Sequence, residues 1–259
     1  MSIVLALVIG FAAVSLFLTI VWAIQVRTRN AGMVDPVWSW SLGFLGVLFA
    51  ILGPAPLETR VVLGALAGFW GLRLGTHLFL RNIGKPEDGR YKRLRDDWGT
   101  NANRNMFWFF QFQALMALLL SAGFVVVAWR ADAPGTLWTA LAVVVWLVSV
   151  VGEGLADWQL EQFKKNSVNK GKVCSQGLWH YSRHPNYFFE SLHWLTYVFL
   201  AIGSPWVWVA LAPPAIMAWL LLKMSGIPIT EKHLAQSRPG YADYIKTTSA
   251  FIPWPPKKA

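Results

Sequence analysis

Cysteine is nearly absent: Cys174 stands alone among 259 residues, which excludes an intramolecular disulfide and any metal centre built from clustered thiolates. Charge is scarce as well. Only 14% of the residues are charged against 55% that are apolar, too few for the solvated surface of a soluble domain of this length. There is no internal repeat and no low-complexity segment, so solenoids and disordered arrays are excluded. No basic residue precedes the first apolar run, Ser2 to Val26, whereas a cleaved signal peptide needs a positive leader and a shorter core. This run is expected to remain as a first helix with its N-terminus outside.

What the chain has in abundance is apolar length. Several runs exceed the roughly 18 residues that suggest a spanning helix, and the 16 tryptophans suit a chain that meets the membrane interface repeatedly. The expectation is an all-α polytopic membrane protein, a single membrane domain over residues 1–259. Three spans fall within residues 1–80: Ser2 to Val26, Pro36 to Leu52 and Val61 to Leu80. Residues 81–105 form a long polar loop, in which Gly84 to Tyr91 turns into a short amphipathic helix. Four more spans fall within residues 106–224: Met106 to Trp129, Gly135 to Ala156, Pro185 to Ile202 and Trp206 to Met224, the last kinked by Pro213 and Pro214. The tail, residues 225–259, is polar but aromatic, and is expected to fold back over the helix ends. Asp35, just before Pro36, has the place of a helix cap.

The formal charge of +10 is not a footprint of nucleic acid, because the cations gather in short loops as orientation signals do. With the N-terminus outside, Arg27, Arg29, the 81–105 loop, the Lys164 to Arg183 segment and the tail share the inner side, while the outer loops hold Arg60 and Arg130. The expected topology is therefore seven spans, N-out and C-in, with cytoplasmic loops and tail capping a pocket. Membrane lipids are the obligatory partners.

The densest chemistry lies in Gly177 to Glu190. Pro185 lacks a backbone donor and restricts His184 to extended conformations, so a helix starts there. Asn186 and Glu190, four apart, then share one face. Arg183 and His184 stand at the helix N-terminus, where phosphate is favoured. A positive-inside anchor with an aromatic belt of Trp179, Tyr181 and Tyr187 contains the same residue types. An amide and a carboxylate inside a span, however, are expensive and usually kept for binding or transport. Arg73, His77 and Arg81 form a stripe on the third helix, where they either snorkel to headgroups or meet a buried anion. Glu153, Asp157 and Glu161 form an acidic stripe on the fifth.

The run Gly177-Leu178-Trp179-His180-Tyr181-Ser182-Arg183-His184-Pro185-Asn186-Tyr187-Phe188-Phe189-Glu190, preceded by Asp157 and followed by Phe251-Ile252-Pro253, resembles the C-terminal half of the membrane steroid 5-alpha-reductase superfamily. Within it, the likeness is to the bacterial branch grouped as a domain of unknown function. The resemblance implies NADPH-dependent reduction of a carbon-carbon double bond conjugated to a carbonyl. The substrate it implies is hydrophobic and enters from the bilayer, and the site lies on the cytoplasmic side of a bacterial inner membrane. The likeness assigns Asn186 and Glu190 to the nicotinamide end, Asp157 and Lys164 to positions near the dinucleotide, the Gly84-Lys85-Pro86 turn to phosphate and Tyr244 to the adenine side. Arg73, Arg81, Lys85, Trp179, Tyr181, Arg183, His184, Tyr187, His233 and Tyr241 complete the candidate cofactor set. The substrate half departs from the family: the second helix lacks its Gln-Glu pair, and Trp70 stands where a tyrosine polarises the steroid ketone. Hydride transfer to a β carbon builds negative charge on the carbonyl oxygen, which needs a donor. Candidates are Asp35 (if protonated), His77, Tyr91 and Tyr187.

Arg183-His184-Pro185-Asn186-Tyr187, with Glu231, Tyr241 and Tyr244, is also similar to isoprenylcysteine carboxyl methyltransferases, which bind S-adenosylmethionine. Asn186-Tyr187-x-x-Glu190 and the extra helices before the motif favour the reductase. A non-enzymatic lipid-binding scaffold leaves Glu153, Asp157, Asn186 and Glu190 in the membrane without a task.

Overall fold

The computed structural model describes residues 1–257, and among them no strand is present beyond an isolated bridge between Ser182 and Ser249. The helices are α1 (Ile3–Thr28), α2 (Val34–Leu52), α3 (Leu57–Asn82), α4 (Gly89–Trp98), α5 (Ala102–Leu120), α6 (Ala122–Ala128), α7 (Thr136–Lys165), α8 (Leu178–Tyr181), α9 (Pro185–His193), α10 (Leu195–Ala201), α11 (Ala212–Trp219), α12 (Ile227–Ser237) and α13 (Tyr241–Thr247). Six helical stretches among the described residues are long and apolar enough to cross a membrane: α1, α2, α3, the run Gly89–Ala128, α7 and the run Val209–Ser237. This is a multi-pass membrane protein. The segment expected as the sixth span is not one continuous helix, because it breaks at Trp194 between α9 and α10.

The chain divides into two compact units. The first, Met1–Gly135 with Leu200–Pro213, is organised on the pair α2 and α3. A Cβ added to Gly71 would lie 2.6 Å from Gly43 Cα, and one added to Gly46 would collide with Ala67. Small residues here let two backbones touch, the form of association favoured where lipid removes any hydrophobic drive between helices. α1 is tied to α5 through polar bonds: Ser15 donates to Gln111 Oε1 at 2.6 Å, and Gln111 Nε2 donates to Thr19 at 3.1 Å. Arg130 is 7% exposed and donates to the carbonyls of Asp132, Leu200 and Ile202, the last at 3.1 Å.

Asp35 is not the cap that its sequence position suggests. α2 begins at Val34 without a side-chain cap, and the Asp35 carboxylate is bound by Arg90 and Tyr91 instead. Two partners far along the chain outcompete a local backbone N–H. Pro213 and Pro214 stand at the start of α11, directly after the 3-10 turn at Val209–Leu211, so the helical run Val209–Ser237 changes its hydrogen-bonding pattern next to them.

The second unit is Thr136–Phe199 with the chain from Pro214 onward. Its frame is α7 against α9. They approach closely at Gly152, where an added Cβ would lie 2.5 Å from the Phe189 ring. The tail folds back on this frame: Ser182 Oγ donates to Phe251 O at 2.8 Å, Arg183 N to Ser249 O at 2.8 Å, and Trp254 N to Tyr181 O at 2.9 Å.

Candidate functional site

Gly177, at φ 61°, turns the chain into α8 beside Gln159, whose Oε1 accepts from Leu178 N at 2.9 Å. Ser182 then caps the next turn by accepting from His184 N at 3.1 Å, and Pro185 opens α9 as expected from its missing donor. Asn186 and Glu190 follow one turn apart. Asn186 Nδ2 donates to Asp157 Oδ1 on α7 at 3.2 Å, while Asn186 Oδ1 is buried without a hydrogen-bond partner. Glu190 is buried and accepts from Trp194 Nε1 at 3.1 Å. Asp157 and Glu190, chosen from the sequence, thus stand in one unit with Asn186, and Glu153 is buried on the same α7.

Arg183 and His184 are tied to the tail. Arg183 Nε donates to Glu231 Oε1 at 2.7 Å, and Nη1 donates to the carbonyls of Ile245, at 3.1 Å, and Thr248. His184 Nε2 lies 3.1 Å from the same Glu231 oxygen, and its ring stacks on Tyr187 at 5.2 Å. Tyr187 OH lies 3.4 Å from Thr230 Oγ1. Trp179 Nε1 donates to Ala156 O at 2.9 Å, and Tyr244 OH donates to the carbonyls of Trp179 and Ser182. These groups lock the entry to α9. Burial pushes the phenols of Tyr241 and Tyr244 up from their ordinary value, so both remain neutral donors at physiological pH. Tyr181 and His233 are exposed, as is Lys164 near the end of α7. A cleft of about 670 Å³ opens beside Tyr244, with Lys170, Lys172, His180, Asp243 and Thr247 among its lining.

The remaining candidates belong to the first unit. Arg90 Nη2 donates to Asp35 Oδ2 at 2.8 Å and its Nε to Asp88 Oδ1 at 3.0 Å, while the buried Tyr91 hydroxyl donates to Asp35 Oδ1. Arg95 and Glu87 pair at 2.8 Å, and Glu87 accepts from Ala31 N at 2.8 Å. Arg73 and His77 are half-buried on α3, while Arg81 is exposed at its end. Arg81 and Lys85 line a smaller cleft of about 220 Å³ with Asn30, Asn82 and Asp88. Of the four expected donors, Asp35 and Tyr91 are brought together, His77 lies on α3, and Tyr187 belongs to the other unit.

Three participants were not among the expected site residues. Glu231 joins Arg183 and His184; the sequence grouped it with them only in the methyltransferase likeness, although a buried Arg183 itself calls for an acid. His193 and Tyr197 are each at most 1% exposed, with His193 Nε2 3.1 Å from Tyr197 OH. In the sequence His193 falls near the face of Asn186 and Glu190, but the apolar run around Tyr197 gave no reason to add that residue.

A family model described as a protein of unknown function, DUF1295, matches residues 21–248. An uncharacterized protein of Schizosaccharomyces pombe is 28% identical over 95% of this chain and 79% of its own length. No solved structure matches the chain significantly.

Proposed function

The chain belongs to the DUF1295 family, which is steroid 5-alpha-reductase-like, and on that premise we propose that it is an NADPH-dependent reductase of a double bond conjugated to a carbonyl, in a hydrophobic substrate drawn from the bilayer. The observation that carries this reading is Asn186. A carboxylate only accepts hydrogen bonds, so Asp157 fixes the amide with its nitrogen inward and leaves the buried carbonyl oxygen as a vacant acceptor. A carboxamide N–H fits such an acceptor. Glu190, one turn on, adds a carboxylate of the kind retained in an apolar segment for binding or proton handling.

When bound there, the dihydronicotinamide supplies a hydride to the β carbon of the substrate. The chain's own share is orientation: Asn186 Oδ1 holds the carboxamide, and the Arg183–His184–Glu231 lock fixes the first turn of α9 and with it the aim of Asn186. The cleft beside Tyr244, with Lys170 and Lys172 in its lining, has a volume within the usual range for a ligand site and the charge for a phosphate-bearing nucleotide. The charge bias of the sequence supports a cytoplasmic position for the Lys164 to Arg183 segment and the tail.

The methyltransferase likeness rests on Arg183-His184-Pro185-Asn186-Tyr187 with Glu231, Tyr241 and Tyr244, of which Arg183, His184 and Glu231 are engaged with one another. Thermal unfolding of detergent-purified protein with NADPH or S-adenosylmethionine separates the two readings. Stabilisation by NADPH, lost in Asn186→Ala, is expected; stabilisation by S-adenosylmethionine alone overturns the reductase.

A further inference from the structure

The tail of the second unit runs without helix over residues 248–257, yet it is fixed along its length. Ser249 O accepts from Arg183 N and Phe251 O from Ser182 Oγ, both at 2.8 Å, while Trp254 N donates to Tyr181 O and Lys257 N to Thr247 O, both at 2.9 Å. The side chains of this strap are sorted. Phe251 packs on Phe188 with ring centroids 5.8 Å apart. Ile252 and Trp254, two apart and so on one side of an extended chain, are 59% and 69% exposed, beside the exposed Tyr181.

The level of this apolar edge follows from α7, one of the helices long and apolar enough to cross a membrane. Val148, Val151, Leu155 and Trp158 are exposed at helical spacing, a lipid-facing stripe, and Gln162 and Lys165 continue the same face. Trp158 therefore marks the border between hydrocarbon and headgroups. α8 is bonded to α7 on either side of that residue: Trp179 Nε1 donates to Ala156 O and Leu178 N to Gln159 Oε1, each at 2.9 Å. Tyr181, at the end of α8, and the strap tied to it stand at the same level.

We propose that this strap, residues 249–257, docks on the bilayer beside α7, with Ile252 and Trp254 in the interfacial layer and Lys257 on anionic phospholipid headgroups. Non-helical backbone enters a layer poor in water only where its polar groups are satisfied. Over residues 253–257 every amide donor is accounted for: Pro253, Pro255 and Pro256 have none, and Trp254 and Lys257 donate theirs within the protein. The charge fits as well, because residues 244–257 hold no acid and Lys257 is exposed. A protein partner fits poorly. A fully buried aromatic side chain covers roughly 150–250 Å², so Trp254, Ile252 and Tyr181 stay short of the about 800 Å² per partner of a stable complex. Docking also bears on the cleft beside Tyr244. Pro256 lines that cleft with Thr247 and Thr248, so lipid that holds the strap holds this wall.

The test uses the full chain in nanodiscs of phosphatidylcholine, with or without phosphatidylglycerol. Cys174→Ser removes the one native thiol, and Ile252→Cys then carries a bimane label. Lipid with a doxyl group near the headgroup end of its acyl chain is expected to quench this label more strongly than iodide in the water, and phosphatidylglycerol to increase the difference. Lys257→Gln is expected to lower the ratio of docked to undocked label in anionic discs about fivefold, from about 1 kcal/mol per basic residue at such a surface; an unchanged ratio overturns the headgroup contact. A label that iodide reaches as freely as in the denatured chain overturns the docking, and so does one shielded from both quenchers and cross-linked to a second copy. Should the labelled chain fail to fold, Trp254→Ser in the otherwise unaltered protein takes its place. Anionic discs are expected to protect the wild-type tail from trypsin at Lys246 and to leave the variant open, and equal protection of both overturns the proposal. None of these readouts uses NADPH, so they decide the strap whichever way the cofactor binding falls.

Discussion

Asn186 Nδ2 sits 3.2 Å from Asp157 Oδ1, and this one contact settles which way round the amide lies. The consequence is a directional acceptor set into the wall of α9. Asn186→Ala removes it and is expected to weaken NADPH binding about tenfold, the worth of one buried hydrogen bond of about 1.5 kcal/mol. Isothermal titration is the check, with the unfolding midpoint measured alongside. Asn186→Asp is expected to do worse, because it sets two carboxylates against each other. Unchanged affinity in a folded Asn186→Ala protein would show that the acceptor serves something else.

Glu231 is the shared anion of Arg183 and His184, and the side chains of Arg183 and Glu231 are only 9% and 18% exposed. Glu231→Gln keeps the shape and removes the charge. Breaking a buried pair from one side leaves an uncompensated cation, at a cost of about 3 kcal/mol. The expected outcome is a lower unfolding midpoint and earlier proteolysis of the tail, followed by limited trypsin digestion. A tail as resistant as wild type would remove the clamp from the account.

These two sites show what was legible in advance. The start of α9 was readable because Pro185 imposes it locally, and α1, α2, α3 and α7 because an apolar run of membrane length is a local property. The Trp194 break was not readable, since Ser191 to Thr196 contains neither proline nor glycine to mark it. Asp35 misled for the opposite reason. Its sequence position is that of a cap, and only the fold supplies Arg90 and Tyr91, 55 and 56 residues away. The pairing of Glu231 with Arg183 spans 48 residues, and in the sequence the two were associated only through the methyltransferase likeness, not through any local signal.

The α2–α3 pair yields a prediction about assembly. At Gly71 an added Cβ would meet Gly43 Cα at 2.6 Å, backbone against backbone, and nothing flexible can yield. Gly71→Ala is expected to separate the helices and cost about 2 kcal/mol or more, in the range of overpacked contacts. At Gly46 the obstacle is the side chain of Ala67, which can itself be removed. Gly46→Ala should therefore destabilise alone and recover in combination with Ala67→Gly, whereas no such rescue exists for Gly71→Ala. Thermal unfolding of the four variants decides; a Gly46→Ala protein that gains nothing from Ala67→Gly contradicts the contact.

Cys174 offers a check on the packing of the tail that needs no ligand. The thiol is 7% exposed, and burial pushes it up from its ordinary value, with hydrogen bonding by the Gln176 backbone and the charge of Lys164 opposing only in part. Thiolate is the reactive form, so a raised value means less of it at neutral pH. Alkylation by N-ethylmaleimide in the folded protein is expected to be at least about tenfold slower than after unfolding, and to keep rising with pH beyond the point where a free thiol has levelled. The linkage carries the same sign. A thiol held protonated in the folded state stabilises it below the unfolded value, and that contribution is lost as pH climbs through the folded one. Because Tyr244 is tied to Trp179 and Ser182 in the same unit, Tyr244→Phe is expected to loosen this region and speed the labelling. Mass spectrometry of the intact chain reads both rates, and equal labelling of the folded and unfolded protein would mean that the tail does not close over Cys174.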